Sequence, residues 1–292
     1  IKGSEIMTGW KKEEEGVWKV IIPNLFFGDY NPYQDSVYGD WFNRHGRIHH
    51  TGEVFLNGKS LYEMETMDKV LNPVANKNIT DTTGSTYTWY CESNNSNTTI
   101  WANFHKFNPN KELVEISTRR TVFYPDKPGL NYITIRGFSF SQAATQWAAP
   151  TAEQVGMIAT HWNRGWIIEN NIIHDSKCSG ITLGKERRTG HNVWSADSEN
   201  INRDGNIHYI EVLFRVLRNG WNKENIGSHI VRNNSIFNCE QTGMCGSMGA
   251  AFSRIENNHI YNIWTKRQFS GAEIGGIKFH AAVDTYIGRN RI

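Results

Sequence analysis

The feature that most constrains this chain is a spaced repeat in its second half. "IENNII" (Ile168 to Ile173), "VRNNSI" (Val231 to Ile236), "IENNHI" (Ile255 to Ile260) and "IGRNRI" (Ile287 to Ile292) share one pattern, and "IRGFSF" (Ile135 to Phe140) has the same alternation. The equivalent positions Phe138, Asn171, Asn234, Asn258 and Asn290 are 33, 63, 24 and 32 residues apart. A coil of about two dozen residues, with loops inserted into most turns, generates this series. One such coil cannot cover its own apolar face, so coils must stack, and the inward Ile, Val and Phe become a continuous column. The repeat therefore predicts an all-β right-handed parallel β-helix over residues 129–292. Its asparagines are expected to form a ladder at turns, in left-handed backbone geometry, hydrogen-bonding from coil to coil rather than to a ligand.

The first part of the chain has no such repeat. Residues 8–128 carry short alternating runs, "GVWKVII", "GEVFLNGKSLYE", "STYTWY", "TTIWANF" and "ELVEISTR", and Asn57-Gly58 sits between two alternating arms as a two-residue hairpin. Variable loops between such strands predict an inserted antiparallel β-sandwich. "PDKPGLNY" (Pro125 to Tyr132) then serves as a linker into the solenoid. Residues 1–7, opening "IKGSEI", read as the end of an earlier coil that the sandwich interrupts.

Composition narrows the partners. With 31 basic and 29 acidic side chains in 292 residues, no strong field points to nucleic acid or an anionic membrane. No stretch of about 18 apolar residues is present. Eleven Trp, 11 Tyr and 14 Phe suit stacking on sugar rings as well as core packing. Cys91, Cys178, Cys239 and Cys245 form no CxxC and no dense framework, so free thiols and a reducing, cytoplasmic setting are expected, with no metal and no cofactor. The chain starts without Met, so its true N-terminus is expected to lie upstream.

"HTGEVFLNGKSLYE" (His50 to Glu63), "TTIWANF" (Thr98 to Phe104), "SQAATQWAAPTAEQ" (Ser141 to Gln154), "SKCSGITLGK" (Ser176 to Lys185) and "EIGGIKFHAAVD" (Glu273 to Asp284) together resemble the β-xylosidases of glycoside hydrolase family 120. The resemblance runs over essentially the whole chain. It implies a parallel β-helix interrupted by a jelly-roll-like sandwich, and a retaining exo-glycosidase that releases xylose from xylooligosaccharides with an Asp nucleophile and a Glu acid/base. In the family these sit in motifs like LDWQ and VEVSHG, and neither motif occurs before Ile292. The resemblance thus implies an internal fragment, inactive by itself, that holds part of the sugar-binding shell.

Within that shell, Glu273 and Lys278 are the implied contacts to the xylose at the cleaving subsite. Alternation along the last complete strand puts Ile277 and Phe279 inward and Lys278 and His280 outward. Gly275 and Gly276 relax the chain and are expected to let Glu273 and Lys278 converge. Trp41, in "VYGDWFN", is the candidate for an aromatic that the sandwich extends over the sugar, and His280 for a further cleft residue. The family commonly has His before the equivalent Glu; here that residue is Ala272. Without the resemblance, Glu273 and Lys278 read as a solvated pair worth about 0–1 kcal/mol.

Other motifs carry less. "GMCGSMG" lacks the GK[ST] ending of a phosphate loop, and "RIHH" and "THWNRG" lack zinc spacing. Two rival classes remain at this level: a β-helix polysaccharide lyase using Lys278 as base, and a non-catalytic carbohydrate-binding solenoid. A homo-oligomer is compatible with either reading.

Overall fold

The computed structural model describes residues 1–192 and 205–292. The chain is mostly β, and its second half visits three parallel sheets in turn. The first sheet stacks Thr134–Arg136, Ile167–Glu169, Ile230–Arg232, Arg254–Glu256 and Tyr286–Gly288. The second stacks Ser139–Ala143, Ile172–Ser176, Ser235–Cys239 and His259–Ile263, and the third Ile158–Ala159, Ser179–Thr182, Thr242–Ser247 and Gly275–His280.

Register turns the sequence repeat into columns. Ile135, Ile168, Val231, Ile255 and Ile287 lie side by side in the first sheet, and Phe140, Ile173, Ile236 and Ile260 in the second. Ile158, Ile181, Met244 and Ile277 complete the third. All but Ile287 pack in or against one buried apolar core. Each strand of the three sheets is short, so no single strand buries much; the column does, at about 25 cal/mol per Å² of apolar surface removed from water.

The asparagine ladder runs along the corner between the first two sheets. The backbone N–H of Phe138 donates to Asn171 Oδ1, that of Asn171 to Asn234 Oδ1, that of Asn234 to Asn258 Oδ1, and that of Asn258 to Asn290 Oδ1, each at 3.0 Å. The left-handed residue is not the ladder asparagine but its predecessor: Gly137, Asn170, Asn233, Asn257 and Arg289 have φ between 56° and 78°. Turning the corner one residue earlier aims the next side chain into the stack, where Asn171, Asn234 and Asn258 are buried. A second left-handed corner, Gln142, Asp175, Asn238 and Asn262, follows five residues on.

Residues of the first half build two mainly antiparallel sheets over a separate core. One is ordered Lys11–Lys12, Val17–Pro23, Asn97–Asn103, Thr88–Ser93, Tyr62–Glu63; the other Ser4–Ile6, Val114–Ser117, Val54–Leu56, Lys59–Ser60. Val20, Ile22, Trp89 and Ile100 from the first meet Val54, Leu56, Val114 and Ile116 from the second. Leu56 pairs with Lys59 across Asn57 (φ 51°) and Gly58 (φ 80°), the two-residue hairpin expected from Asn-Gly. Ser4–Ile6 lies antiparallel on Val114–Ser117, while Lys2, just before it, bridges in parallel to Ser141 of the second coiled sheet.

The two halves are joined by buried charge. Lys177 Nζ, 1% exposed, lies 3.4 Å from Glu63 and 3.5 Å from Glu53, and Lys266 Nζ lies 2.9 Å from Glu53. The longest coil also carries a helix, Asn206–Arg218, which the repeat did not announce. Its Val212 and Val216 bury against Trp162, Ile226, Met248 and Ala251 at one edge of the coils.

Candidate functional site

Strand Gly275–His280 is the outermost of the third sheet and pairs Lys278 with Cys245 and His280 with Ser247. Ile277 and Phe279 pack toward the core, so Lys278 and His280 share the outer face, as alternation requires. At about 3.3 Å per residue, a straight chain would carry His280 far from Glu273. Instead His280 Nε2 lies 2.9 Å from Glu273 Oε2, so the segment before the strand folds back over its outer face.

Glu273 is 5% exposed and His280 half-buried. The carboxylate's partner is thus His280, and no ion pair joins Glu273 to Lys278. Lys278 reaches the same face beside Cys245, a residue whose thiol feels the Glu273 charge. Its ammonium makes no hydrogen bond or ion pair among the described residues. A half-buried lysine on the same outer face as a buried carboxylate, with neither Nζ nor Oε1 engaged among the described residues, is an arrangement that can donate to and accept from hydroxyls.

Trp41 comes to this face from the first half. Phe42–Asn43 pairs antiparallel with Ser270–Gly271, and the Ala272 N–H donates to the Trp41 carbonyl at 3.2 Å. The peptide segment that delivers Glu273 is therefore stitched to the one that delivers Trp41. Trp41 itself has φ 58°, a costly conformation for a bulky side chain and one that persists only where its surroundings enforce it. Gly205, at the head of helix Asn206–Arg218, abuts the Trp41 ring: a Cβ there would come within 2.8 Å of both Trp41 Cη2 and Asp40 Cγ. Asp40, buried beside it, accepts from Thr151 through Oδ2.

The helix supplies a residue that the sequence reading missed. The ring of Tyr209 meets that of His280 edge to face, with centroids 6.1 Å apart. Burial pushes its phenol up, and Glu273 is near enough for its charge to act on it. Tyr209 lies 71 residues from His280 in sequence, and no local pattern announces the contact. Glu273, Lys278, His280 and Trp41 are thus brought to one face, with Tyr209 and Ser247 added. Among the described residues no group of three or more His, Cys, Asp or Glu could hold a metal ion. All four cysteines are free and buried. No helix is long and apolar enough to cross a membrane.

Comparison with known proteins places these features. Residues 7–116 match the glycoside hydrolase 120 insertion domain. The whole chain superposes on a solved structure described as the complex of XylC with xylose, at 47% identity and a TM-score of 0.95. That match covers 100% of this chain and 47% of XylC, so the chain spans about half the length of that relative. Comparison with curated proteins gives no match.

Proposed function

We propose that the chain belongs to glycoside hydrolase family 120 and that the full-length protein is a retaining, exo-acting β-xylosidase releasing xylose from the non-reducing end of xylooligosaccharides. The observation that carries the reading is the end-to-end match, at 47% identity, to a protein solved with xylose bound. In this reading the three parallel sheets are successive faces of a right-handed parallel β-helix over residues 129–292. The two-sheet unit of residues 8–128 is a jelly-roll-like sandwich inserted into it, and residues 1–7 end the coil before the insertion. The parallel bridge from Lys2 to Ser141 supports that last assignment.

The site residues then take distinct roles. Glu273 Oε1 accepts hydroxyl protons of the sugar, Lys278 donates to a hydroxyl oxygen, and the Trp41 ring covers the C–H face of the pyranose. His280, proposed from sequence as a sugar contact, acts first by holding Glu273 Oε2, which leaves Oε1 oriented for the ligand. The Asp nucleophile and Glu acid/base belong to coils outside these 292 residues. Their carboxyls should stand about 5–5.5 Å apart, as double displacement requires. Buried free thiols suit a reducing, cytoplasmic setting.

Proton NMR of the first product formed by the full-length enzyme from a β-xyloside tests the mechanism. β-Xylose should appear before mutarotation. Initial α-xylose would exclude retention, and an unsaturated product absorbing in the ultraviolet would replace the hydrolase with a lyase.

A further inference from the structure

A second polar cavity lies away from Glu273. It occupies about 510 Å³ where residues 29–39 of the first half meet residues 146–153 of the coils, and none of Trp41, Glu273, Lys278 or His280 lines it. This volume falls within the range of small-molecule sites, about 300–1,000 Å³. Asp29, Asp35, Glu153, Arg120, Tyr38 and Trp147 are among its lining residues.

The arrangement of charge around the void is unusual. Arg120 makes no hydrogen bond or ion pair among the described residues, although its charge acts on Asp35, Tyr30 and Tyr124. Asp35 binds only hydroxyls and backbone: Tyr30 donates to its Oδ2 at 3.2 Å and Thr51 at 3.4 Å. Glu153 Oε1 accepts from Tyr124 at 2.7 Å. Guanidinium and carboxylates therefore face one gap without closing on each other. A ligand that fills this gap must accept from the guanidinium and donate to the carboxylates at the same time. Vicinal hydroxyls do both, whereas a simple anion or cation satisfies one side only. The lining's three carboxylates and two guanidiniums, Arg120 and Arg187, nearly cancel, so the cavity does not select for an ion. Burial pushes the Asp35 carboxyl up, against the hydroxyls of Tyr30 and Thr51 and the Arg120 charge, which favour its ionised form.

We propose that this cavity is a second carbohydrate site, taking a neutral, hydroxyl-rich sugar unit between Arg120 and the Asp35 and Glu153 carboxylates. The choice of a xylose-based oligosaccharide as ligand rests on the xylosidase reading; the class of ligand does not. The Trp147 ring lines the cavity, donates from Nε1 to the Asp40 carbonyl at 3.0 Å and packs against Gly271, so an occupied cavity adjoins the segments that carry Trp41 and Glu273.

The test is calorimetric titration of the full-length protein with xylotriose, run beside turnover of a chromogenic β-xyloside. Glu273→Gln empties the candidate active site; Arg120→Met and, separately, Glu153→Gln address the cavity. Arg120 is exposed and has no hydrogen-bond or ion-pair partner among the described residues, so the fold should tolerate its loss. Binding should persist in Glu273→Gln and weaken at least about tenfold when Arg120→Met is added, while Arg120→Met alone leaves β-xyloside turnover unchanged. Superimposable isotherms with and without Arg120→Met and Glu153→Gln would overturn the second site. So would a loss of β-xyloside turnover in Arg120→Met, which would make the cavity part of the first site. No turnover by any form, with Arg120-dependent binding retained, would refute the xylosidase reading and leave the cavity's role standing.

Discussion

Glu273 and His280 are the pair on which the site's geometry turns. A carboxylate 5% exposed needs partners for its lone pairs, and His280 at 2.9 Å supplies one of them. If His280 acts by orienting Glu273, the two should behave as one unit. In the proposed full-length xylosidase Glu273→Gln and His280→Ala should each lower kcat/KM about tenfold or more, and the double variant should be little worse than the more damaged single. Lys278→Met, which removes a group without partners among the described residues, should lower kcat/KM without changing the melting temperature. Fully multiplying losses in the Glu273–His280 cycle would show that each residue contacts the sugar independently.

At the level of elements, the asparagine ladder is where the coils are held in register. Asn234 is the central rung: Oδ1 accepts from the Asn171 backbone, and Nδ2 donates to the Ile168 carbonyl at 2.9 Å and to Asn258 Oδ1 at 3.0 Å. Removing it strands several buried donors and acceptors at once, each costing roughly 1–3 kcal/mol when unsatisfied. Asn234→Leu should therefore destabilise by roughly 3–5 kcal/mol, read as a lower urea midpoint at unchanged slope. Asn290→Leu, at a half-buried rung, should cost far less. Equal small losses at both positions would mean that the apolar column alone sets the register.

For the molecule as a whole, buried ionisable groups set the response to acid. Burial holds His49 and His229 neutral, with pKa values lowered to about 3. Around His49, Arg47 and Lys177 add to that lowering, while Glu63 and the hydrogen bond from Nε2 to the Arg44 carbonyl oppose it. The unfolded chain protonates these histidines near pH 6.5, so their contribution is present above that value and is lost as pH falls toward 3. Glu63 and Glu53, kept charged mainly by Lys177 and Lys266 against the cost of burial, lose their contribution further down, below the ordinary carboxylate pKa of about 4.3. Glu240, raised by burial, works in the opposite sense and gains as pH falls. Melting temperature should accordingly decline from pH 6.5 to pH 4, with a stability slope of about 1.4 kcal/mol per pH unit for each histidine. A flat profile over that window would show that both histidines open to water, and half the slope that one of them does.

The features legible along the chain are those that repeat or lie close together in it. The spacing of 33, 63, 24 and 32 residues gave the coil register and the ladder, because stacked coils impose the same inward Ile and corner Asn on every turn. Asn57-Gly58 announced its hairpin because a two-residue turn needs two left-handed residues. Alternation placed Lys278 and His280 outward together. Only the tertiary structure decided that Glu273 pairs with His280 rather than Lys278, that Trp41 is tied to Ala272, and that Tyr209 closes on His280. The helix carrying Tyr209 is hidden in the longest coil, and Trp41 arrives from more than 200 residues away. Such contacts depend on how separate elements pack, and no local period or turn preference encodes them.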